Sequence, residues 1–209
     1  MLTQMLRWLL VAAIFSGIMA AQTVQIRPSS PQIAATGVKL AALDAPEHAD
    51  TVKAILGDDA NLLAPILPNS VLVVNGSGKK LRAVGVFFRW TSPASPKGTT
   101  LVMTALDKDD PAQLKSGDAQ IYTPIQAVNH FVGIPAAKRH PPASIAPRSG
   151  VASTATLDFA NLFQQELARL PGLAGVQATI DSLVFEDYSF VGPDDILIRL
   201  QRSHPEVHR

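Results

Sequence analysis

The fold is decided by the stretch Ser70-Val-Leu-Val-Val-Asn-Gly-Ser-Gly-Lys-Lys-Leu-Arg-Ala-Val-Gly-Val-Phe-Phe-Arg-Trp90. Its first six residues are rich in β-branched side chains, which favour strands. Residues 81–90 alternate, so that Phe87 and Arg89 share one face and Val84, Val86, Phe88 and Trp90 share the other, more apolar face. Gly76-Ser77-Gly78 is typical of a turn. The stretch therefore predicts two strands joined as a hairpin.

The rest of the chain adds further short strands and a few helices. A third strand of the same sheet is predicted from Thr99 to Leu106. Helical spacing and capping residues indicate helices over residues 44–57 and 156–170 and a last one that Asp194 or Asp195 begins. Further strands are predicted over residues 22–27, 33–43, 120–122, 128–134, 176–185 and 190–191. This pattern predicts a mainly β protein, an Ig-like antiparallel β-sandwich with two or three short helices.

The first 21 residues have the three parts of a secretory signal. Arg7 provides one positive charge, an apolar run follows from Trp8, and Ala20-Ala21 form a small-residue cleavage site. The apolar run is shorter than the roughly 20 residues of a spanning helix. Residues 1–21 are therefore predicted to be a signal peptide, and the mature protein is predicted to be periplasmic or secreted.

Charge and cysteine content exclude several classes of protein. The chain has 18 Lys and Arg against 17 Asp and Glu, so removal of Arg7 with the signal leaves 17 of each. A neutral chain is not typical of a nucleic-acid-binding domain, and no second stretch suits membrane insertion after signal removal. Cysteine is absent, which excludes both disulfides and a lipid-bearing cysteine at the cleavage site.

Composition also suggests how the mature chain is organised. Residues 22–202 are predicted to form a single β-sandwich-like domain. Within it, residues 135–150 contain four prolines and few large apolar side chains, which indicates a mobile loop. Residues 203–209 are polar and are predicted to form a flexible tail.

Two groups of residues are candidates for partner binding. Phe87 and Trp90 lie in the predicted hairpin, where exposed aromatic rings would suit a glycan or peptide groove. Lys138, Arg139 and His140 lie in the predicted loop and would present positive charge to a partner. Core packing also explains aromatic residues in a strand, so this alternative stays open.

Acidic residues concentrate near the C-terminus, and two interpretations are open for them. Turns and helix starts use such residues routinely, whereas a group of carboxylates can also hold a hard cation. A hydrolase would need two convergent carboxylates, such as Asp181 and Glu186, although strand alternation puts these two on opposite faces unless a bulge intervenes. The residues concerned are Asp181, Glu186, Asp187, Asp194 and Asp195.

Two stretches together resemble a family of exported bacterial proteins of unknown function. They are Leu67-Pro-Asn-Ser-Val-Leu-Val-Val-Asn-Gly-Ser-Gly-Lys79, continuing into residues 83–90, and Ile180-Asp-Ser-Leu-Val-Phe-Glu-Asp-Tyr-Ser-Phe-Val-Gly-Pro-Asp194. The resemblance implies an Ig-like β-sandwich in which the first stretch is a central hairpin and the second provides a strand, a turn and the start of a helix. Similar proteins have glycine in place of Tyr188. The family implies no activity and no functional residue.

The sequence therefore favours an exported, non-catalytic envelope or secreted protein that binds an unknown protein or glycan partner. It predicts no catalytic residue, no cofactor and no metal site. A hydrolase acting on cell-wall or extracellular polymer is the alternative.

Overall fold

The computed structural model of the chain describes residues 24–57, 64–92, 95–103, 114–124 and 173–209. Within these ranges the chain forms eight strands and three short α-helices, with 3₁₀ turns at Pro46–His48 and Ala64–Asn69. The strands are β1 (Gln25–Ile26), β2 (Val38–Ala41), β3 (Val71–Asn75), β4 (Leu81–Ser92), β5 (Ser95–Met103), β6 (Ala119–Tyr122), β7 (Ala174–Phe185) and β8 (Phe190–Val191). The helices are α1 (Pro31–Ala34), α2 (Ala49–Leu56) and α3 (Asp194–Gln201).

The strands form two open sheets. Sheet A has the order β1-β7-β4-β5, with β8 also pairing with β7, and sheet B has the order β2-β3-β6. The prediction of a mainly β protein with short helices is confirmed. One pair departs from the predicted antiparallel arrangement, because β1 runs parallel to β7. A parallel pair needs a long connection, and here it joins strands from the two ends of the described chain.

The predicted hairpin of residues 70–90 is wrong. β3 is the central strand of sheet B and pairs with β2 on one side and with β6 on the other. β4 belongs to sheet A, where it pairs with β5 and β7. The glycine-containing turn therefore carries the chain from one sheet to the other. The predicted pairing of the following strand with β4 is confirmed, since β5 is antiparallel to β4.

Asn75 fixes the geometry of this crossover. Its side-chain amide donates to the carbonyl oxygens of Lys79 at 2.8 Å and of Leu114 at 3.0 Å. Its side-chain oxygen accepts from the backbone nitrogen of Ser77 at 3.1 Å and from the Ser77 hydroxyl at 2.6 Å. Asn75 is fully buried, so these bonds satisfy polar groups that would otherwise be costly to bury.

The main core lies between the two sheets. Sheet B contributes Val71, Val73 and Tyr122, and the strands of sheet A contribute apolar side chains to the same cluster, among them Val84, Val86, Phe88, Val176, Ala178, Ile180 and Leu183. Because side chains alternate along a strand, Leu72 and Ile121 point to the other face of sheet B, the side on which α2 contacts β6.

A second, smaller core covers the outer face of sheet A at one end. Ala83 and Val184 of the sheet pack there against Ile196 and Leu197 of α3. Val207 is fully buried in this cluster.

Residues 203–209 differ from the flexible tail that the sequence indicated. The backbone nitrogen of Phe190 donates to the carbonyl of His208 at 2.6 Å, and the nitrogen of His208 donates to the carbonyl of Tyr188 at 3.1 Å. Gln201 also donates to the carbonyl of Val207 at 2.8 Å. Ser189, the residue before β8, thus pairs with His208 in one isolated parallel bridge.

Two helices differ in detail from their sequence signals. Pro46–His48 is a 3₁₀ turn, and α2 starts after it with His48 at its N-cap, so Asp44 caps neither. The predicted last helix is confirmed as α3, but Pro193 occupies its N-cap. Asp194 and Asp195 lie in its first turn, where negative charge interacts favourably with the positive end of the helix dipole.

A helix also replaces the start of the predicted strand over residues 33–43. Ser30 caps α1 by accepting from the backbone nitrogen of Ile33 at 3.3 Å, and Pro31 occupies the first turn.

Several predictions lie outside the described residues. They are the signal peptide at residues 1–21, the strand at 128–134, the loop at 135–150 and the helix at 156–170. Among the helices that the structure describes, none has the length and apolar character needed to cross a bilayer.

Candidate functional site

Phe87 and Trp90 lie on opposite faces of β4. Phe87 is half-buried on the outer face of sheet A, beside Arg89. Trp90 is half-buried on the inner side and packs against the main core. The structure therefore does not bring the two aromatic candidates together. The other three candidates, Lys138, Arg139 and His140, lie outside the described residues.

Trp90 has a structural neighbour that accounts for its position. It pairs with Gly98 of β5, and a Cβ atom at Gly98 would collide with the indole ring. The ring thus lies directly on the backbone of the neighbouring strand, which only a glycine permits. Core packing explains Trp90 without a ligand.

Phe87 forms the floor of a shallow groove on the outer face of sheet A. We call it the arginine groove, and it encloses about 180 Å³. Five residues of β4 and β7 and two residues after β1 line it, namely Phe87, Arg89, Gln177, Ala178, Thr179, Arg27 and Pro28.

Pairing of β1 with β7 brings Arg27 to the groove that Arg89 of β4 also lines. The backbone nitrogen of Arg27 donates to the carbonyl of Ala178 at 2.8 Å, which continues the parallel register by one residue. Its side-chain Nε donates to Gln177 Oε1 at 3.2 Å. The Arg89 guanidinium lies 5.2 Å from the centre of the Phe87 ring, within range of a cation–π contact.

The groove therefore combines two permanent positive charges with an aromatic surface. Its lining carries two arginines and no carboxylate. Each guanidinium keeps several donors in a planar fork, which suits carboxylate or phosphate oxygens. Chemically the groove is built to hold an anionic group next to an apolar one.

A β-bulge changes the direction of side chains further along β7. Gly85 pairs with Ser182 and Val86 pairs with Ile180, so Asp181 has no partner on β4. Before the bulge Val176, Ala178 and Ile180 face the main core, whereas after it Leu183 and Phe185 do so. A β-bulge, the exception under which alternation would not separate Asp181 from Glu186, is therefore present in β7.

Asp181 lies in a second cleft, which encloses about 340 Å³ and which we call the Asp181 cleft. Ser30 and Gln32 near α1 form one wall, and Gly192-Pro193 before α3 forms another. Burial raises the pKa of the Asp181 carboxyl above its usual value, and the nearby charge of Asp195 adds to the shift. Asp181 Oδ2 is buried and has no hydrogen-bond partner among the described residues.

The other acidic residues are dispersed. Asp187 forms an ion pair with Lys79 at 2.9 Å, and Asp194 pairs with Arg209. Hydrogen bonds from Ser189, followed by the contact with Lys79, hold the pKa of Asp187 well below its usual range. Within the described ranges no three His, Cys, Asp or Glu side chains lie close enough together to hold a metal ion.

Asp181 and Glu186 do not form a convergent pair. Glu186 follows the last residue of β7, so the two residues lie five positions apart, a span of roughly 16 Å. Paired catalytic carboxylates in glycoside hydrolases lie within about 10 Å of each other. At this spacing the pair that served as the example for the hydrolase alternative is not convergent.

Tyr188 occupies an unusual backbone conformation in the turn between β7 and β8. Its φ is +62°, in the left-handed region that glycine adopts more readily. The Arg82 guanidinium lies 4.3 Å from the centre of its ring, and its backbone bonds to Phe185 and His208 hold the turn. A glycine at this position would adopt the same φ without a steric cost.

The two aspartates with shifted pKa values should give opposite pH responses. Asp181 has a raised pKa in the folded state, so stability falls as pH rises from 3.8 through the raised value. Asp181→Asn should therefore raise the melting temperature at pH 7, and the gain should vanish below about pH 4. Asp187 has a lowered pKa, so its contribution is complete at pH 7 and is lost as pH falls below its usual range.

Asp187→Asn should accordingly lower the melting temperature at pH 7, with a difference that shrinks in acid. Thermal unfolding of the wild type and both variants between pH 3 and pH 7 measures both effects. Equal shifts of the same sign in the two variants would contradict the assignment.

Sequence reasoning identified Phe87 and its neighbour Arg89 on one face, but it missed Arg27, Gln177 and Thr179. These residues meet only because β1 pairs with β7, and no local pattern signals that pairing. In comparisons with known proteins, no family model, no curated protein and no solved structure matches this chain.

Proposed function

We propose that the chain is an exported, non-catalytic binding module with an Ig-like β-sandwich, and that its arginine groove holds an acidic segment of a protein partner. The observation that carries the proposal is that Arg27 and Arg89 line one groove together with the half-buried Phe87, and that this lining contains no carboxylate. Export rests on the signal character of residues 1–21. Two sheets that share one core support the sandwich.

A peptide is favoured over a glycan because the groove adjoins, through Thr179, a stretch of β7 that α1 contacts but with which no described strand pairs on that side. On this edge β1 pairs with β7 as far as Ala178, and β8 pairs with it from Leu183 onward. Between these points no described strand pairs with β7 on that side. An extended peptide can add its backbone to such an edge while its side chains occupy neighbouring pockets.

The proposal predicts that binding of acidic peptides depends on the two arginines. Random peptides displayed on phage and selected on the purified chain should be enriched in Asp and Glu. Arg27→Gln and Arg89→Gln should each weaken binding of a selected peptide roughly tenfold, because each removes a charge-assisted hydrogen bond. Phe87→Ala should weaken it as well, by removing the apolar floor.

Arg199→Gln is the matched control, since Arg199 is an exposed residue of α3 outside the groove. Selected peptides with no excess of acidic residues, or equal binding by the groove variants and the control, would refute the proposal. Arginine-dependent binding of acidic oligosaccharides, with no binding of acidic peptides, would assign the groove to a glycan instead.

A further inference from the structure

The two clefts on sheet A adjoin each other. Thr179 lines both the arginine groove and the Asp181 cleft. Its hydroxyl donates to the carbonyl of Pro28 at 3.2 Å, so the segment after β1 borders the passage between the clefts. Asp181 lies four positions after Gln177 in β7, a distance of about 13 Å along the strand.

The Asp181 cleft lies at the gap in the sheet edge. Ile180 and Asp181 line it between the last residue paired with β1 and the first residue paired with β8. Gly192 lies against β7 at this point, because a Cβ atom there would lie 3.0 Å from the carbonyl oxygen of Asp181 and 2.8 Å from Ser182 Cβ. Asp181 and Gly192 therefore line the same end of the cleft.

The chemistry at this end is opposite to that of the groove. Asp181 offers a carboxylate oxygen that is shielded from solvent and makes no hydrogen bond with the described residues. Asp195 on α3 adds a second negative charge nearby, and no described cation forms an ion pair with either carboxylate. Buried carboxylates in proteins are ordinarily paired with a cation or a hydrogen-bond donor.

We infer that the Asp181 cleft binds an ammonium or guanidinium group belonging to the same extended peptide whose acidic group lies in the arginine groove. The inference rests on the proposed function and adds to it the polarity and length of the recognised segment. Acidic and basic side chains four positions apart in an extended peptide lie on one face and about 13 Å apart, which matches the separation of the two clefts. The hydroxyls of Thr179 and Ser30 can bond the peptide between its charged ends.

Five-residue peptides with blocked ends test this inference. The probes are Glu-Thr-Val-Thr-Lys, the same peptide with Gln in place of Lys, and the reversed sequence Lys-Thr-Val-Thr-Glu. Binding to the ¹⁵N-labelled chain is followed by chemical-shift titration. We expect one of the two directions to bind about fivefold more tightly than the Gln-containing peptide.

The gain in affinity from lysine should disappear in Asp181→Asn and persist in Glu47→Gln. Glu47 is the control because it is an exposed carboxylate on the 3₁₀ turn before α2. Circular dichroism at each pH used verifies that both variants are folded. In the wild type the gain should also fade as pH is lowered through the pKa of Asp181, whereas the affinity of the Gln-containing peptide should change less.

The outcomes separate the inference from the proposed function. Arginine-dependent binding of the Gln-containing peptide with no gain from lysine in either direction would overturn the inference and leave the proposed function intact. A gain that persists in Asp181→Asn would also overturn it. Failure of all three peptides to bind would count against the proposed function itself.

Discussion

Phe88→Ala is expected to lower the free energy of unfolding by about 3–5 kcal/mol, because it opens a cavity in the main core. Phe88 is 0% exposed and lies with Val86 and Val84 between the two sheets. Phe87 is its immediate neighbour in the same strand but faces the arginine groove. Phe87→Ala should therefore cost only about 1 kcal/mol, since the Phe87 ring is only partly buried and its loss opens no enclosed cavity.

Urea unfolding followed by tryptophan fluorescence measures both variants, and the pair controls for residue type and strand. The same pair of variants separates stability from binding. Phe87→Ala should weaken the binding of acidic peptides, whereas Phe88→Ala should mainly lower the free energy of unfolding. A larger loss of stability for Phe87→Ala than for Phe88→Ala would mean that the face assignment of β4 is wrong.

Gly37→Ala is expected to destabilise the protein by about 3 kcal/mol, from a strained φ together with a backbone collision. Gly37 follows α1 with φ of +83°, and a Cβ atom there would lie 2.7 Å from the carbonyl oxygen of Gly76. Gly76 in turn has Gly37 as its near neighbour, at the same distance from its own Cβ position. The turn after α1 thus rests on the crossover between the sheets, and neither backbone can move aside freely.

Gly78→Ala is the matched control for this effect. Gly78 has a similar φ of +74°, but a Cβ atom there would meet nothing within 4 Å. Gly78→Ala should lower the free energy of unfolding by about 1 kcal/mol, the cost of the backbone conformation alone. Equal losses for the two variants, measured by urea unfolding, would show that the close approach of Gly37 to Gly76 does not contribute.

Strand positions and faces followed from the sequence where local patterns determine them. The alternation of residues 81–90 predicted which side of β4 is buried, and Phe190–Val191 was predicted as a return strand. Partners of the strands were harder to predict. Gly76-Ser77-Gly78 suits a hairpin and a crossover equally well, and the choice depends on Asn75, whose hydrogen bonds to Lys79 and Leu114 exist only in the folded chain.

The candidate site was predictable to a smaller extent. Phe87 and Arg89 share a face through simple alternation, so their proximity was visible in the sequence. Arg27 reaches them only through the pairing of β1 with β7, which two residues establish. The orientation of Asp181 depends on a bulge, and a single inserted residue leaves no distinct signature in a strand of mixed composition.

The same β1–β7 pair determines when in folding sheet A can form. Gln25 meets Gln177, 152 positions later in the chain. β4, the long central strand, likewise receives one of its two neighbours only when β7 is available. Contacts of such high sequence separation slow folding, because a long loop must close before they form. During synthesis, a chain that stops before residue 174 therefore exposes an unpaired edge of β4, and such an edge favours aggregation and proteolysis until β7 is made.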